Sequence, residues 1–355
     1  MSQFQSLTVT DIHRTIRDAV VLTLKPENPE AFSFTPGQYL TFRKDFDGEE
    51  LRRSYSICAG KDDGVLKVGI KRVDGGVFST WANLDLAVGD TLESMPPMGQ
   101  FFASSEEPSP SYLAFAGGSG ITPILSIVKS GLQQENNSHY TLVYANRSAS
   151  TVMFREEIED LKNRYLNRFT VIHVLKEHGE EIELFGGRVD AEKCRQLFES
   201  WINISNISMA YICGPEGMMS SVNDALTTHG FSKSQIRMEL FTGSQPGRSK
   251  KPAQRLHLHE KGIAGQVTIG GESRSLTIPA NTTLLEAAIA NELDAPFACK
   301  AGVCSTCKAR VIEGEVEMLA NHALEDHEVE DGYVLTCQSV PMSDTIVWDY
   351  DQAGH

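Results

Sequence analysis

Four cysteines carry the most specific chemistry in this 355-residue chain. Cys299, Cys304 and Cys307 stand in a C-x4-C-x2-C spacing, and Cys337 follows after 29 further residues. Thiolates in that order are the ligand set of a plant-type [2Fe–2S] cluster, which takes one electron at a time. Three ligands on one loop require the chain to wrap a small inorganic core. Gly302 lets the backbone approach closely and turn N–H groups toward the sulfurs, and Ser305 and Thr306 are small enough to keep the loop tight. A zinc site or a set of buried thiols is the alternative. Zinc usually takes two C-x2–4-C pairs, whereas here three cysteines cluster and one is distant. A Rieske centre needs two Cys-x-His pairs, which the chain lacks, so His322 and His327 read as surface residues.

A second constellation is Arg53-Ser54-Tyr55-Ser56. Alternate residues of an extended segment share a face, so Arg53 and Tyr55 point together. A guanidinium can clamp a pyrophosphate, a tyrosine can cover an isoalloxazine ring, and a serine hydroxyl can reach a ring nitrogen. Four residues alone are equally a half-exposed strand with Tyr55 in the core and Arg53 in water. Further on, Asp74-Gly75-Gly76-Val77-Phe78-Ser79-Thr80 opens a short helix expected over Ser79–Leu84. Glycine backbone and hydroxyls at a helix start make an anion site, or a plain turn and cap.

A third set lies where strands run into glycine turns. Tyr112 to Ala116 reads as a buried strand, Gly117-Gly118-Ser119-Gly120 as a turn, and Ile121-Thr122-Pro123 as the first turn of a helix. Met209 to Cys213 repeats the pattern into Gly214-Pro215. Nucleotides bind beyond the carboxyl ends of such strands, although G-x-G-x-x-G is not matched here. Cys213 is also readable as an ordinary buried thiol. Arg147, after the strand Tyr140–Tyr144, stands where a 2′-phosphate or a ribose hydroxyl would be read, or is simply solvated. NADH and NADPH stay open at this point.

The elements that must hold these residues sort into three domains. Short strands at Leu7–Ile12, Ala19–Leu24, Phe34–Phe42, Leu51–Cys58 and Val65–Lys71 predict an antiparallel barrel over 1–107. Lys71, at the end of the last strand, joins the candidate cofactor residues. Strands alternating with helices, among them Phe154–Tyr165, predict a doubly wound parallel sheet over 108–241. Residues 242–258, rich in Gly, Ser, Pro and Lys, read as a linker, and 259–355 as a cluster domain. There Gly270-Gly271 predicts a hairpin, and Thr282 or Thr283 caps a helix over Thr283–Asn291. The fold class expected is multidomain: β barrel, α/β domain, and α+β domain of β-grasp type.

Arg53-Ser-Tyr-Ser56 followed by Gly75-Gly-Val-Phe-Ser79 resembles the flavin site of the ferredoxin–NADP reductase superfamily. The resemblance implies that Arg53 holds the FAD pyrophosphate, Tyr55 stacks on the flavin, Ser56 approaches N5, and Gly76 to Thr80 cap the phosphates. It implies that Gly117 to Pro123 cradle the NAD(P)H pyrophosphate and that Cys213-Gly214-Pro215 lie beside the nicotinamide. Phe241 would cover the flavin face, or end the strand Ile236–Phe241 as a core residue. The whole domain order resembles the reductase components of bacterial multicomponent oxygenases, nearest in look to those of phenylacetyl-CoA epoxidase and 3-ketosteroid 9-alpha-hydroxylase. It implies electron flow from NAD(P)H through FAD and [2Fe–2S] to an oxygenase component. Reductases of hybrid-cluster proteins share the architecture. A redox-sensing regulator and a zinc-bound interaction protein are the readings from other classes.

Composition narrows the partners. A net charge of −15 argues against nucleic acid and anionic membrane and suits docking on a basic protein patch. From Lys261 onward acidic residues outnumber basic ones roughly three to one, with Glu315, Glu317, Glu325, Asp326, Glu328, Glu330 and Asp331 between cluster ligands in sequence. That run is a solvated face or an electrostatic docking face. No apolar run is long enough to span a membrane, and the first residues lack the basic and apolar regions of a secretory leader. Seven cysteines, an odd number, fit a reducing cytoplasm better than a disulfide framework.

Overall fold

The computed structural model describes residues 4–102, 105, 107–177, 183–241 and 262–353. The linker expected over 242–258 lies outside the described residues. The chain divides into two units. One holds Ser6–Phe42 and Tyr55–Phe241, and the other gathers Phe4, Gln5, Arg43–Ser54 and the described residues from 262 onward.

Seven elements follow one another at the start: β1 (Gln5–Ile16), β2 (Ala19–Pro26), β3 (Tyr39–Phe46), β4 (Glu49–Ser56), β5 (Leu66–Lys71), α1 (Val77–Leu84) and β6 (Thr91–Ser94). The six strands form one sheet in the order β4-β3-β6-β1-β2-β5. Just past β4, Ile57 bridges antiparallel to Val68 of β5, so the first and last strands of that order meet and the ring closes. Register shifts between Val9 and Asp11 and between Arg14 and Ile16 give β1 the bend that closure needs. Leu7, Val9, Leu22, Leu40, Phe42, Val68 and Ile70 are fully enclosed. The third strand starts at Tyr39 rather than Phe34, because Gly37 turns the chain at φ +85°. Helix α1 starts two residues ahead of the expected Ser79.

The parallel sheet is built from β7 (Ser111–Gly117), α2 (Ile121–Gln134), β8 (His139–Asn146), α3 (Arg155–Arg164), β9 (Phe169–Leu175), α4 (Ala191–Ser200), β10 (Met209–Gly214), α5 (Glu216–Thr228) and β11 (Ile236–Leu240). Its order is β11-β10-β7-β8-β9, and every adjacent pair is parallel. The period of two in β7 distributes the core. Tyr112, Ala114 and Ala116 pack with Ile124, Val128, Ile158 and Leu161 of α2 and α3. Leu113 and Phe115 pack with Leu197, Phe198, Val222 and Leu226 of α4 and α5. Helices thus cover both faces, as the near-continuous apolar strands require. Phe154 is not helical as expected. It sits at φ +57° ahead of α3, with its N–H donating to Thr15 Oγ1 at 2.7 Å and its side chain in the core.

The remaining residues form β12 (Ile263–Ile269), β13 (Glu272–Ile278), α6 (Leu284–Ala290), β14 (Lys308–Glu313), β15 (Val316–Met318), α7 (Asp326–Glu330), β16 (Tyr333–Leu335), β17 (Ser339–Pro341) and β18 (Thr345–Asp349). The main sheet runs β13-β12-β18-β14-β16, with β12 and β18 parallel, and β15 pairs with β17. The hairpin turns on Gly270 and Gly271, both at positive φ, and their N–H groups donate to the Asp351 carboxylate at 2.8 and 2.6 Å. Thr283 caps α6 reciprocally with Glu286, which decides between the two threonines. Helix α6 lays Leu284, Leu285 and Ala288 over a core with Ile278, Ile346 and Trp348. No helix among the described residues is long and apolar enough to cross a membrane.

Candidate redox site

The sheet order sets the first part of the site. From β7 the chain moves to β8 on one side, while β10 lies on the other, so the carboxyl ends of β7 and β10 flank a topological switch point. Both glycine turns end there. A Cβ on Gly120 would stand 2.2 Å from the Cys213 carbonyl oxygen, and one on Gly117 would stand 2.5 Å from Pro215 Cδ. The two turns touch, and side chains would force them apart. Behind them α2 begins with no side-chain cap, presenting its positive end to this crevice. Thr122 Oγ1 donates to the Ser119 carbonyl at 3.0 Å, and Tyr144 Oη donates to the Gly118 carbonyl at 3.0 Å, which fix the turn.

Two cations border it. Lys71 Nζ lies 3.7 Å from where a Cβ on Gly118 would stand. Burial, and then the charge of Arg147, push the Lys71 ammonium below its ordinary pKa. Two cations that disfavour each other fit an anionic ligand between them. Arg147 is largely exposed and lies 3.6 Å from Glu177.

The barrel supplies the second part. Tyr55 packs against Phe42 and Phe78, with centroids 6.2 and 5.7 Å away. Arg53 Nη1 donates to the Arg52 carbonyl at 2.7 Å. Gly75 turns at φ +72°, and α1 follows from Gly76, its first backbone bond running from Thr80 N–H to the Gly76 carbonyl. The amides ahead of Thr80 are outside that ladder. The Ser79 hydroxyl is committed inside the loop, accepting from Val73 N–H at 3.1 Å and donating to the Gly76 carbonyl at 3.3 Å. Val77 is exposed at the helix start. Ser54 stands beside Arg53 in β4, part-buried.

Barrel and sheet meet at a pair that sequence reasoning missed. Ser56 Oγ donates to Glu239 Oε2 at 3.0 Å. Glu239 pairs in register with Cys213 across β10 and β11. The residue keeps some surface, but its carboxyl is hemmed in, and burial, eased by Ser56, pushes it up to about 8. Burial, and then the Glu239 charge, raise the Cys213 thiol well above its ordinary range, so it stays protonated. Phe241 packs half-buried against the apolar core beneath. Only the alternation of β11 hinted at Glu239, an acid in a strand otherwise apolar at Ile236, Met238 and Leu240.

The cysteines form the third part. Cys299 and Cys304 place their sulfurs 3.1 Å apart. Hydrogen bonds from Cys304 and Cys337 hold the Cys299 thiol well below its ordinary range. The Thr336 N–H and hydroxyl both donate to the Cys307 carbonyl, at 3.1 and 2.9 Å, which brings the distant Cys337 to the loop. Gln338 Nε2 donates to the Lys300 and Cys337 carbonyls, each at 3.0 Å. Gly302 has φ +74°, and a Cβ there would stand 2.7 Å from the Ala320 carbonyl oxygen, so the loop needs glycine. A two-iron core asks for two sulfurs on each iron, and four thiols stitched into one loop fit it. His322 and His327 are exposed, as expected. Glu328 does not belong to an acidic face, because it is buried with Lys308 at 3.2 Å.

Residues 6–102 match the oxidoreductase FAD-binding domain, 115–224 the oxidoreductase NAD-binding domain, and 267–342 the 2Fe-2S iron-sulfur cluster binding domain. The chain is 40% identical to a subunit of the 1,2-phenylacetyl-CoA epoxidase of Escherichia coli, covering 100% of this chain and 99% of that one. The chain belongs to the ferredoxin–NADP reductase superfamily, in the class that ends in a plant-type [2Fe–2S] ferredoxin. The ferredoxin reductase component of 3-ketosteroid-9-alpha-monooxygenase from Rhodococcus rhodochrous is 33% identical, over 92% of this chain and 90% of that one. Phthalate dioxygenase reductase shares the fold, with a TM-score of 0.57 at 23% identity over 98% of both chains. This member of the superfamily is thus an oxidoreductase of the oxygenase-reductase type, with FAD, NAD(P)H and a [2Fe–2S] cluster as its cofactors.

Proposed function

We propose that this reductase draws electrons from NAD(P)H and delivers them to the oxygenase component of a phenylacetyl-CoA-type monooxygenase. The end-to-end match to the epoxidase protein carries that reading. Bound FAD supplies the exchange between a hydride and single electrons, and the bound cluster carries the single electrons outward. The chain supplies binding and orientation. Arg53 and Ser54 would hold the FAD pyrophosphate, the turn at Gly75 and Gly76 with the helix start through Val77, Ser79 and Thr80 would cap its phosphates, and Tyr55 and Ser56 would face the flavin ring. The amides of Gly117, Gly118, Ser119 and Gly120, with Thr122, Pro123 and Lys71, would cradle the nucleotide pyrophosphate. Cys213, Gly214 and Pro215 would flank the nicotinamide, with Arg147 at the adenosine end and Phe241 over the flavin. Glu239 would keep its proton on the carboxyl near neutral pH, so that no full negative charge faces the hydride path. Cys299, Cys304, Cys307 and Cys337 would ligate the irons. A cytoplasmic location accords with seven cysteines that make no disulfide.

The test is reconstitution. Purified holoprotein is combined with the oxygenase component of a phenylacetyl-CoA epoxidase and, separately, with that of a 3-ketosteroid 9-alpha-monooxygenase. NAD(P)H-dependent epoxidation of phenylacetyl-CoA is expected. Cytochrome c reduction without epoxidation, or turnover only with the steroid oxygenase, would refute the assignment.

A further inference from the structure

Adjacent side chains of a strand point to opposite faces, so Arg52 and Arg53 of β4 cannot serve one ligand. Arg53 belongs to the flavin set, and Arg52 is turned elsewhere. Only 7% of Arg52 is exposed. Its guanidinium lies 4.0 Å from the Phe297 ring centroid and 4.9 Å from that of Phe4. Nε donates to Glu50 Oε1 at 2.8 Å, Nη2 stands 3.7 Å from Asp294 Oδ1, and Nη1 is buried without a hydrogen-bond partner among the described residues. Phe297 also lies 4.4 Å from Lys300 Nζ. All of these residues belong to one structural unit.

A buried guanidinium with an unsatisfied nitrogen is costly, and an apolar residue would fill the same space more cheaply. What arginine adds is a flat cation that stacks on an aromatic face while its edge reaches carboxylates. Both partners on the far side, Asp294 and Phe297, lie in the segment that leads into Cys299. We propose that Arg52 is a positioning residue for electron transfer: it pins the approach to the first cluster ligand onto β4, the strand that also carries Arg53. This rests on the proposed passage of electrons from flavin to cluster within the chain. Slack at this contact frees the segment that carries Cys299, and passage of electrons through the cluster slows with it.

The test uses holoprotein carrying Arg52→Ala, Arg52→Lys or Phe297→Leu. Hydrogen exchange of the amides of Asp294–Lys300 is followed beside NAD(P)H-driven reduction of ferricyanide and of cytochrome c. Arg52→Ala is expected to speed exchange about tenfold, the size of one stacked cation, and to slow cytochrome c reduction by a comparable factor. Ferricyanide reduction stays within about twofold. Arg52→Lys, which keeps charge but not the planar stack, falls between, and Arg52→Ala combined with Phe297→Leu is no worse than the stronger single variant. Phe297→Leu keeps the arginine, so it reports even if Arg52→Ala fails to fold. Unchanged exchange and cytochrome c rates in Phe297→Leu and Arg52→Lys would overturn the positioning role. Failure of NAD(P)H to reduce the cluster in unmodified protein would overturn the underlying electron chain, and the positioning role with it.

Discussion

Ser56 and Glu239 are 183 positions apart in the chain, yet the serine hydroxyl donates to the carboxyl oxygen at 3.0 Å. The bond joins the end of a barrel strand to the last strand of the parallel sheet, next to Cys213. It sets a proton-holding group where the proposed flavin and nicotinamide sites meet.

Glu239 gives the protein a pH dependence. Its carboxyl is raised from 4.5 to about 8 on folding. Between those values the folded chain holds a proton that the unfolded chain has released, so stability falls as pH rises through this window. Because the side chain keeps some solvent access, the effect is discounted to on the order of 1–3 kcal/mol. Glu239→Gln is expected to flatten the fall of Tm with pH in denaturation scans. An unaltered pH slope would refute the shift.

The Gly117–Gly120 turn is expected to reject side chains where it meets Cys213. Gly120→Ala pushes a methyl into a backbone carbonyl, and a loss of about 2–4 kcal/mol is expected, with weaker nucleotide binding. Gly217, early in α5, has nothing within 4 Å of where a methyl would stand, and Gly217→Ala is expected to stabilise by about 0.5–1 kcal/mol. Thermal melts of the two variants separate local crowding from a general intolerance of glycine replacement.

Removing a cluster ligand should divide the activities. Cys304→Ala is expected to abolish electron delivery to cytochrome c or an oxygenase while NAD(P)H-to-ferricyanide reduction at the flavin largely survives. If both fell together in a folded, flavin-loaded variant, the linear order NAD(P)H, flavin, cluster would be wrong.

Arg147 tests nucleotide choice. Its guanidinium is exposed beside Glu177 and close enough to Lys71 to depress that ammonium. Arg147→Ala is expected to lower kcat/KM for NADPH about tenfold relative to NADH, the scale of one charge-assisted contact to a 2′-phosphate. An unchanged ratio would leave Arg147 without a phosphate role.

What could be read from the sequence was whatever a few neighbouring residues dictate. The spacing of Cys299, Cys304 and Cys307 points to the cluster because one loop carries three thiols. The Gly270-Gly271 turn and the Thr283 cap are set within three or four residues. The alternation in β7 fixes two buried faces, and with the strand–helix rhythm it fixes a doubly wound sheet. Tertiary structure decided what depends on strand order and on which distant side chain arrives. Phe154 was expected to be helical, but Thr15 captures its N–H and the core takes its ring. Glu328 sits in an acidic run, but Lys308 draws it inside. Ser56 was legible as a candidate, yet its partner Glu239 was not, because no local period encodes a hydrogen bond across 183 positions. Arg52 stands next to Arg53 in the sequence. The pleat of β4 turns it away, and only the folded chain brings Phe297 to meet it.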